Sequence, residues 1–192
     1  GGVDISKYFT SEIPHSMSTS KPGYIYTIKK LPPFIFNGTS CECMFYNFLG
    51  EEIDFSNFDT SNTTNMSQMF QNAVNIKSLD LRKFNTSNVT NMSYAFSSMS
   101  NLESLDLSSF ITTNLTEIGN IFSGCKKLNH LDMRNFDFSN VTSSNAMFGT
   151  SAANWVPADC LIIVKDESVK EWMVTNFSPS VSASFSEQNS VL

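Results

Sequence analysis

The amino-acid sequence predicts an α/β repeat solenoid made of short strand plus short helix units, with a cap at each end. Three observations carry this expectation. An L-x-L-like segment begins at Ile53, Leu79, Leu105 and Leu131, each start 26 residues after the last. Two phenylalanines follow every start at fixed distances, giving the columns Phe58, Phe84, Phe110, Phe136 and Phe70, Phe96, Phe122, Phe148. Both flanks depart from the pattern, as the ends of a stacked array must if they are not to be sticky.

The four units read IDFSNFDTSNTTNMSQMF, LDLRKFNTSNVTNMSYAF, LDLSSFITTNLTEIGNIF and LDMRNFDFSNVTSSNAMF. Three carry an apolar residue upstream in register, as in Ile76-x-x-Leu79-x-Leu81-x-x-Phe84, Leu102-x-x-Leu105-x-Leu107-x-x-Phe110 and Leu128-x-x-Leu131-x-Met133-x-x-Phe136. This is the leucine-rich-repeat template, with Phe where Asn or Cys usually stands, and it predicts a right-handed array. L-x-L alternation suits a short strand with two side chains inward and one outward. The later N-x-T-N-M-S-x-M-F stretch predicts about two helical turns, with Asn88 or Thr90 as N-cap and Met92 and Phe96 facing the core at i, i+4. Asn62, Thr64, Met66 and Phe70 are expected to act likewise. A single unit would leave its apolar face wet, so the copies must stack and the phenylalanine columns become two aromatic spines, each buried ring worth about 2–3 kcal/mol from area alone.

Residues 1–50 are expected to form an N-terminal cap, 51–156 the four repeats, and 157–192 a C-terminal cap. The first contains strand candidates at Gly23–Ile28 and Phe34–Phe36, and Met44–Phe48 resembles the second half of a degenerate repeat, one residue out of register. In the last, Cys160–Val164 predicts a strand and Asp166 opens a helix with Val169, Trp172, Met173 and Phe177 on one face. Ser178–Leu192 is either a docked strand through Val181, Ala183 and Phe185 or a loose tail.

Composition narrows the function. Only 16% of the 192 residues are charged and the net charge is −6, without blocks of like charge. Strong attraction to nucleic acid or anionic lipid is therefore not expected. No apolar run approaches the roughly 18–20 residues of a membrane span, so no membrane insertion by this fragment is expected. The Gly1–Gly2–Val3 start suggests a piece of a longer polypeptide.

Chemistry-bearing residues are sparse. His15 and His130 are the only histidines, and no nucleophile elbow, zinc helix or phosphate loop occurs, so no catalytic residue is expected. Cys41-Glu42-Cys43 has the wrong spacing for a zinc knuckle, and Cys125 stands where other repeats carry Ala73, Met99 and Ser151, which predicts buried thiols and neither metal nor cofactor. The N-x-S/T triplets at Asn62, Asn65, Asn88, Asn91, Asn114 and Asn140 recur because the repeat recurs. Asp54, Asp80, Asp106 and Asp132 are expected to point outward from the strands, about 4.8 Å apart, where like charges repel. Hydrogen bonds with Ser, Thr or backbone groups, helped by Arg82 and Arg134, would offset this; otherwise the column belongs to a ligand face or collects a cation.

The motif LDLxxFxTSNVTNMSxxFxxxxNLxS, best seen over Leu79–Ser104, resembles the BspA-like leucine-rich repeat surface proteins of bacteria, and the segment LIIVKDESVKEW resembles the ending such proteins often carry. The resemblance implies a secreted or cell-surface protein acting in adhesion or in host or matrix binding, without cofactor or catalytic residues. Repeat proteins bind through equivalent positions in successive units. The candidate partner-binding face therefore comprises Ser78, Asp80, Arg82, Ser104, Asp106, Ser108, His130, Asp132 and Arg134. Its expected partner is a protein or glycan on a host or cell surface, met by a monomeric fragment. The alternatives are a structural spacer within a larger surface protein and a receptor-binding part of a phage tail protein.

Overall fold

In the computed structural model, residues 30–31, 35–151, 156–177 and 185–187 are described. The predicted strand at Gly23–Ile28 and most of the predicted tail lie outside them. The elements are β1 (Lys30–Leu31), β2 (Glu52–Ile53), β3 (Ser104–Asp106), β4 (His130–Asp132), β5 (Leu161–Val164), α1 (Glu167–Phe177) and β6 (Phe185–Glu187). All strand pairing is parallel, in the orders β1-β2 and β3-β4-β5-β6. Register joins repeat-equivalent residues: Leu105 lies opposite Leu131, and Leu131 opposite Ile162. The 26-residue period is thus the length of one coil, and successive coils lie side by side.

Leu105 and Leu131 are fully buried, whereas Leu79 is only partly so. The second coil does not form a regular strand at Leu79, though the Glu103 N–H still donates to the Lys77 carbonyl at 2.9 Å. This irregularity accounts for the looser seating of that leucine.

The second half of each repeat corrects the helical expectation, for among the described residues the only α-helix is α1. An α-helix would direct its N–H groups back four residues along the same segment. Here alternate N–H groups leave the coil instead: Met66, Gln68, Phe70 and Asn72 donate to the Asn91, Ser93, Ala95 and Ser97 carbonyls of the next coil at 2.8–2.9 Å. The residues between them close tight turns, with Met69 N–H donating to Met66 and Ala73 N–H to Phe70. Each turn places its third residue in the left-handed region, Gln68 at φ 56° and Asn72 at 62°, as a type II turn requires. Tyr94, Ser98, Asn120, Gly124 and Ala146 repeat this conformation down the stack, and Cys43 and Asn47 show it in the coil before.

Asn88, predicted as a helix cap, is a coil-to-coil clip, and so are its equivalents in the next two coils. Asn88, Asn114 and Asn140 donate through Nδ2 to the Ser61, Ser87 and Thr113 carbonyls of the preceding coil at 2.7–2.8 Å. Thr90 likewise donates to the Thr64 carbonyl at 3.2 Å. A buried threonine column adds a third clip: the Thr86 hydroxyl donates to the Ile111 carbonyl at 2.9 Å and accepts from the Ile111 N–H at 2.8 Å. Thr60 and Thr112 do the same with Asn85 and Asp137. Each hydroxyl thereby satisfies two backbone groups that would be costly to leave unpaired.

Both phenylalanine columns stack. Centroids in the column Phe70, Phe96, Phe122, Phe148 are 5.7–5.9 Å apart with planes within 22°. Phe58, Phe84, Phe110 and Phe136 follow at 5.3–6.5 Å. Phe45 and Phe36 extend the columns into the preceding coil. Its Ser40 pairs with Asn65, a spacing of 25 residues, which matches the one-residue offset of Met44–Phe48 in the sequence. At the other end Asp166 caps α1 by accepting the Val169 N–H at 3.1 Å. Phe177 then sets its ring edge-on to Phe148, and Trp172 stacks on Phe138.

Candidate functional site

Pairing of β3 with β4 brings four of the sequence-predicted residues together, Ser104 opposite His130 and Asp106 opposite Asp132. Ser78, Asp80 and Arg82 occupy the same coil positions one coil earlier, and Ser108 and Arg134 follow the two strands. Because side chains alternate along a strand, burial of Leu105 and Leu131 turns Ser104, Asp106 and His130 to the outer face. Ser78, Asp80, Arg82, Ser104 and Asp106 are exposed, and Ser108, His130 and Arg134 half-buried.

Asp132 departs from the outward expectation, for only 5% of its surface is exposed. Its register partner in β5 is the apolar Ile163, and the Arg134 guanidinium lies over its carboxylate, with Nε 2.9 Å from both oxygens. Its carboxylate is therefore buried beneath the partly exposed Arg134 guanidinium and is not itself available as a contact.

The aspartate column is held by local bonds. Asp54, Asp80, Asp106 and Asp132 each accept the N–H of the residue two further on, at 2.9, 3.3, 2.9 and 3.1 Å. These carboxylates thus shape the turn that ends each strand, and Arg82 pairs with Asp80 at 2.7–2.8 Å as Arg134 does with Asp132. The Arg82 hydrogen bonds hold the Asp80 carboxyl down to about 2. In the third coil Ser108 replaces arginine, and its hydroxyl lowers the Asp106 pKa. Among the described residues, neither Asp106 nor the exposed Glu103 beside it has a basic side chain within ion-pair distance. The face accordingly alternates along the stack between neutralised pairs and open carboxylates.

Two contributors to this face were not singled out from the sequence. Glu103 directly precedes β3, and Leu161, 38% exposed, continues the His130 row in β5. The repeat alignment contained the signal for Glu103, which shares a coil position with Lys77 and Asn129. Leu161 was hidden because 31 residues, and not 26, separate Leu131 from its partner Ile162.

Cys41, Cys125 and Cys160 are buried, and Cys43 is half-buried. Burial pushes Cys41, Cys125 and Cys160 up to about 12, and Cys43 is raised as well. Thiols so protonated are poor nucleophiles and poor metal ligands. Cys125 instead donates to the Phe96 carbonyl at 3.1 Å. Among the described residues no three His, Cys, Asp or Glu side chains converge as a metal site would need, and no helix is long and apolar enough to cross a membrane.

Neither the curated proteins nor the solved structures yield a match to this sequence. The family described as "Mycoplasma protein of unknown function, DUF285" matches residues 39–157, from the coil that precedes the first regular repeat to the segment that leads into β5. That match spans more than half of the chain and the whole of the 26-residue repeat, and the chain belongs to this family.

Proposed function

We propose that this chain is a non-catalytic extracellular recognition or adhesion module, a right-handed leucine-rich-repeat-like solenoid of the BspA-like type, whose sheet face binds a protein or glycan on a host, matrix or cell surface. The observation that carries the reading is the convergence of Ser104, Asp106 and His130 with the exposed Asp80 and Arg82 on one face. Equivalent positions of a repeat array form its extended binding surface. A face that mixes fixed ion pairs with open carboxylates favours a partner of mixed charge over a polyanion.

The test is attachment of the intact protein to cells or immobilised matrix. Asp106→Arg together with Ser108→Trp should abolish attachment while the protein stays folded, with only a modest fall in melting temperature from the lost Asp106 turn bond. Thr113→Arg, an exposed position away from the sheet face, should leave attachment intact. Full attachment by the first variant and loss by the second would overturn the proposal.

A further inference from the structure

Tyr94 stands in a backbone conformation that does not suit it. Its φ is 59°, in the left-handed region, which glycine and asparagine tolerate and bulky side chains resist. The same coil position holds Gln68, Asn120 and Ala146, all left-handed, so their side chains leave the stack in the same direction at the spacing of one coil, about 4.8 Å. Tyr94 is the sole aromatic of this row and is 39% exposed. Among the described residues its hydroxyl makes no hydrogen bond, and neither does the Asn120 side-chain amide; Gln68 uses only its oxygen, which accepts from Cys43 Sγ at 3.6 Å. Strain of this kind persists where surrounding structure imposes it, and it collects at functional sites.

The neighbour of Tyr94 on the next coil is Gly119, whose carbonyl accepts the Tyr94 N–H at 2.9 Å. Other coils carry Ser67, Ser93 and Asn145 at that position. Neither backbone nor packing requires glycine there: its φ is not left-handed, and an added Cβ would make only ordinary contact, 3.5 Å from the Asn145 carbonyl oxygen. Gly124 differs, because its φ is 83° and a Cβ would come within 3.0 Å of Ser98. A side chain added at Gly119 would face Asn145 and Ser143 of the following coil, so position 119 does not itself shape the surface around the tyrosine.

We propose that Tyr94, Gln68 and Asn120 form a subsite for an uncharged sugar ring. The apolar C–H face of a pyranose packs on the exposed tyrosine, while the Gln68 NH2 and the Asn120 amide, one coil to either side, bond its ring hydroxyls. No residue of this row bears a formal charge, which matches a neutral saccharide and not an acidic one. The subsite lies on the turn side of the coils and is independent of the sheet face.

Amide NMR spectra of the protein titrated separately with cellobiose, maltose, lactose and N,N′-diacetylchitobiose test this. At least one disaccharide should shift the signals of Gln68, Tyr94, Gly119 and Asn120. Tyr94→Asn should weaken that binding about tenfold or more and, by relieving the left-handed strain, raise the melting temperature. Asn120→Gly, which removes the amide but suits the left-handed backbone, should weaken binding, and the Asp106→Arg, Ser108→Trp variant should bind the sugar as the parent does. No shift at these residues with any of the four sugars, unchanged shifts in Tyr94→Asn, or a lowered melting temperature in that variant would each overturn the proposal.

Discussion

Trp172 stacks on Phe138, with ring centroids 5.1 Å apart and planes inclined by 28°. Phe138 occupies the coil position that Thr60, Thr86 and Thr112 fill in the first three coils. Those threonines clip each coil to the next. The fourth coil has no further coil of that kind to clip, and it exchanges the hydroxyl for a ring that the C-terminal helix covers. The change from Thr to Phe therefore marks the end of the stack in the sequence itself.

Removal of that cover should expose association-prone surface. Trp172→Ala is expected to cost about 2–3 kcal/mol, since the indole is half-buried against an aromatic partner. Truncation after Asp166 also uncovers Phe148 and should produce aggregation in light scattering. A monodisperse truncated protein with an unchanged melting temperature would show the helix to be an appendage.

The buried threonine column gives a second expectation. Thr86→Val keeps shape and volume but leaves both the N–H and the carbonyl of Ile111 without the partner they have now. The loss should be about 1–3 kcal/mol, whereas Thr86→Ser, which retains the hydroxyl, should lose less. Equal stability for the valine and serine variants in urea unfolding would show that the hydroxyl bridge contributes nothing.

Much of the stack was legible in the sequence because its period is a backbone quantity. Residues 26 apart must coincide if coils pair in register, and the phenylalanine columns then have nowhere to go but on top of one another. The turn half was misread for a physical reason. Met92 and Phe96 are both buried, as an i, i+4 helical stripe requires, but two consecutive turns of two residues' advance bring side chains inward at the same interval. The discriminating signal was the row Gln68, Asn120 and Asn72, Gly124, residue types of which several accept a positive φ, and Tyr94 obscured it. Likewise the asparagine before each Val-Thr pair suits a helix cap and a coil clip equally well by type; only the parallel neighbour one coil away decides between them. On the candidate face, five residues are exposed as expected, but burial of Asp132 depended on Ile163 in β5, beyond the reach of the repeat period.

Acid titration separates the two kinds of aspartate on the sheet face. Asp80 is held down to about 2, first by the Arg82 side-chain bonds and then by the Arg82 N–H, compared with about 3.9 for an unperturbed aspartate. A group whose pKa is depressed in the folded state contributes stability that is present above its unfolded pKa and is lost as pH falls through the folded value. For Asp80 that window runs from about pH 4 down to about pH 2, and Asp59, Asp106 and Asp137, all lowered by their Ser partners, act in the same direction. The melting temperature should therefore hold near neutral pH and decline below pH 4, with only a modest share from Asp80, because its pair with Arg82 is exposed and solvent-screened. Arg82→Ala removes the larger cause and leaves the backbone bond, so the carboxyl signal of Asp80 in an NMR titration should move up toward the ordinary aspartate range while Asp106 moves less. An Asp80 midpoint that stays near 2 in Arg82→Ala would show that the backbone N–H alone holds the carboxylate, and that the ion pair on this face is incidental.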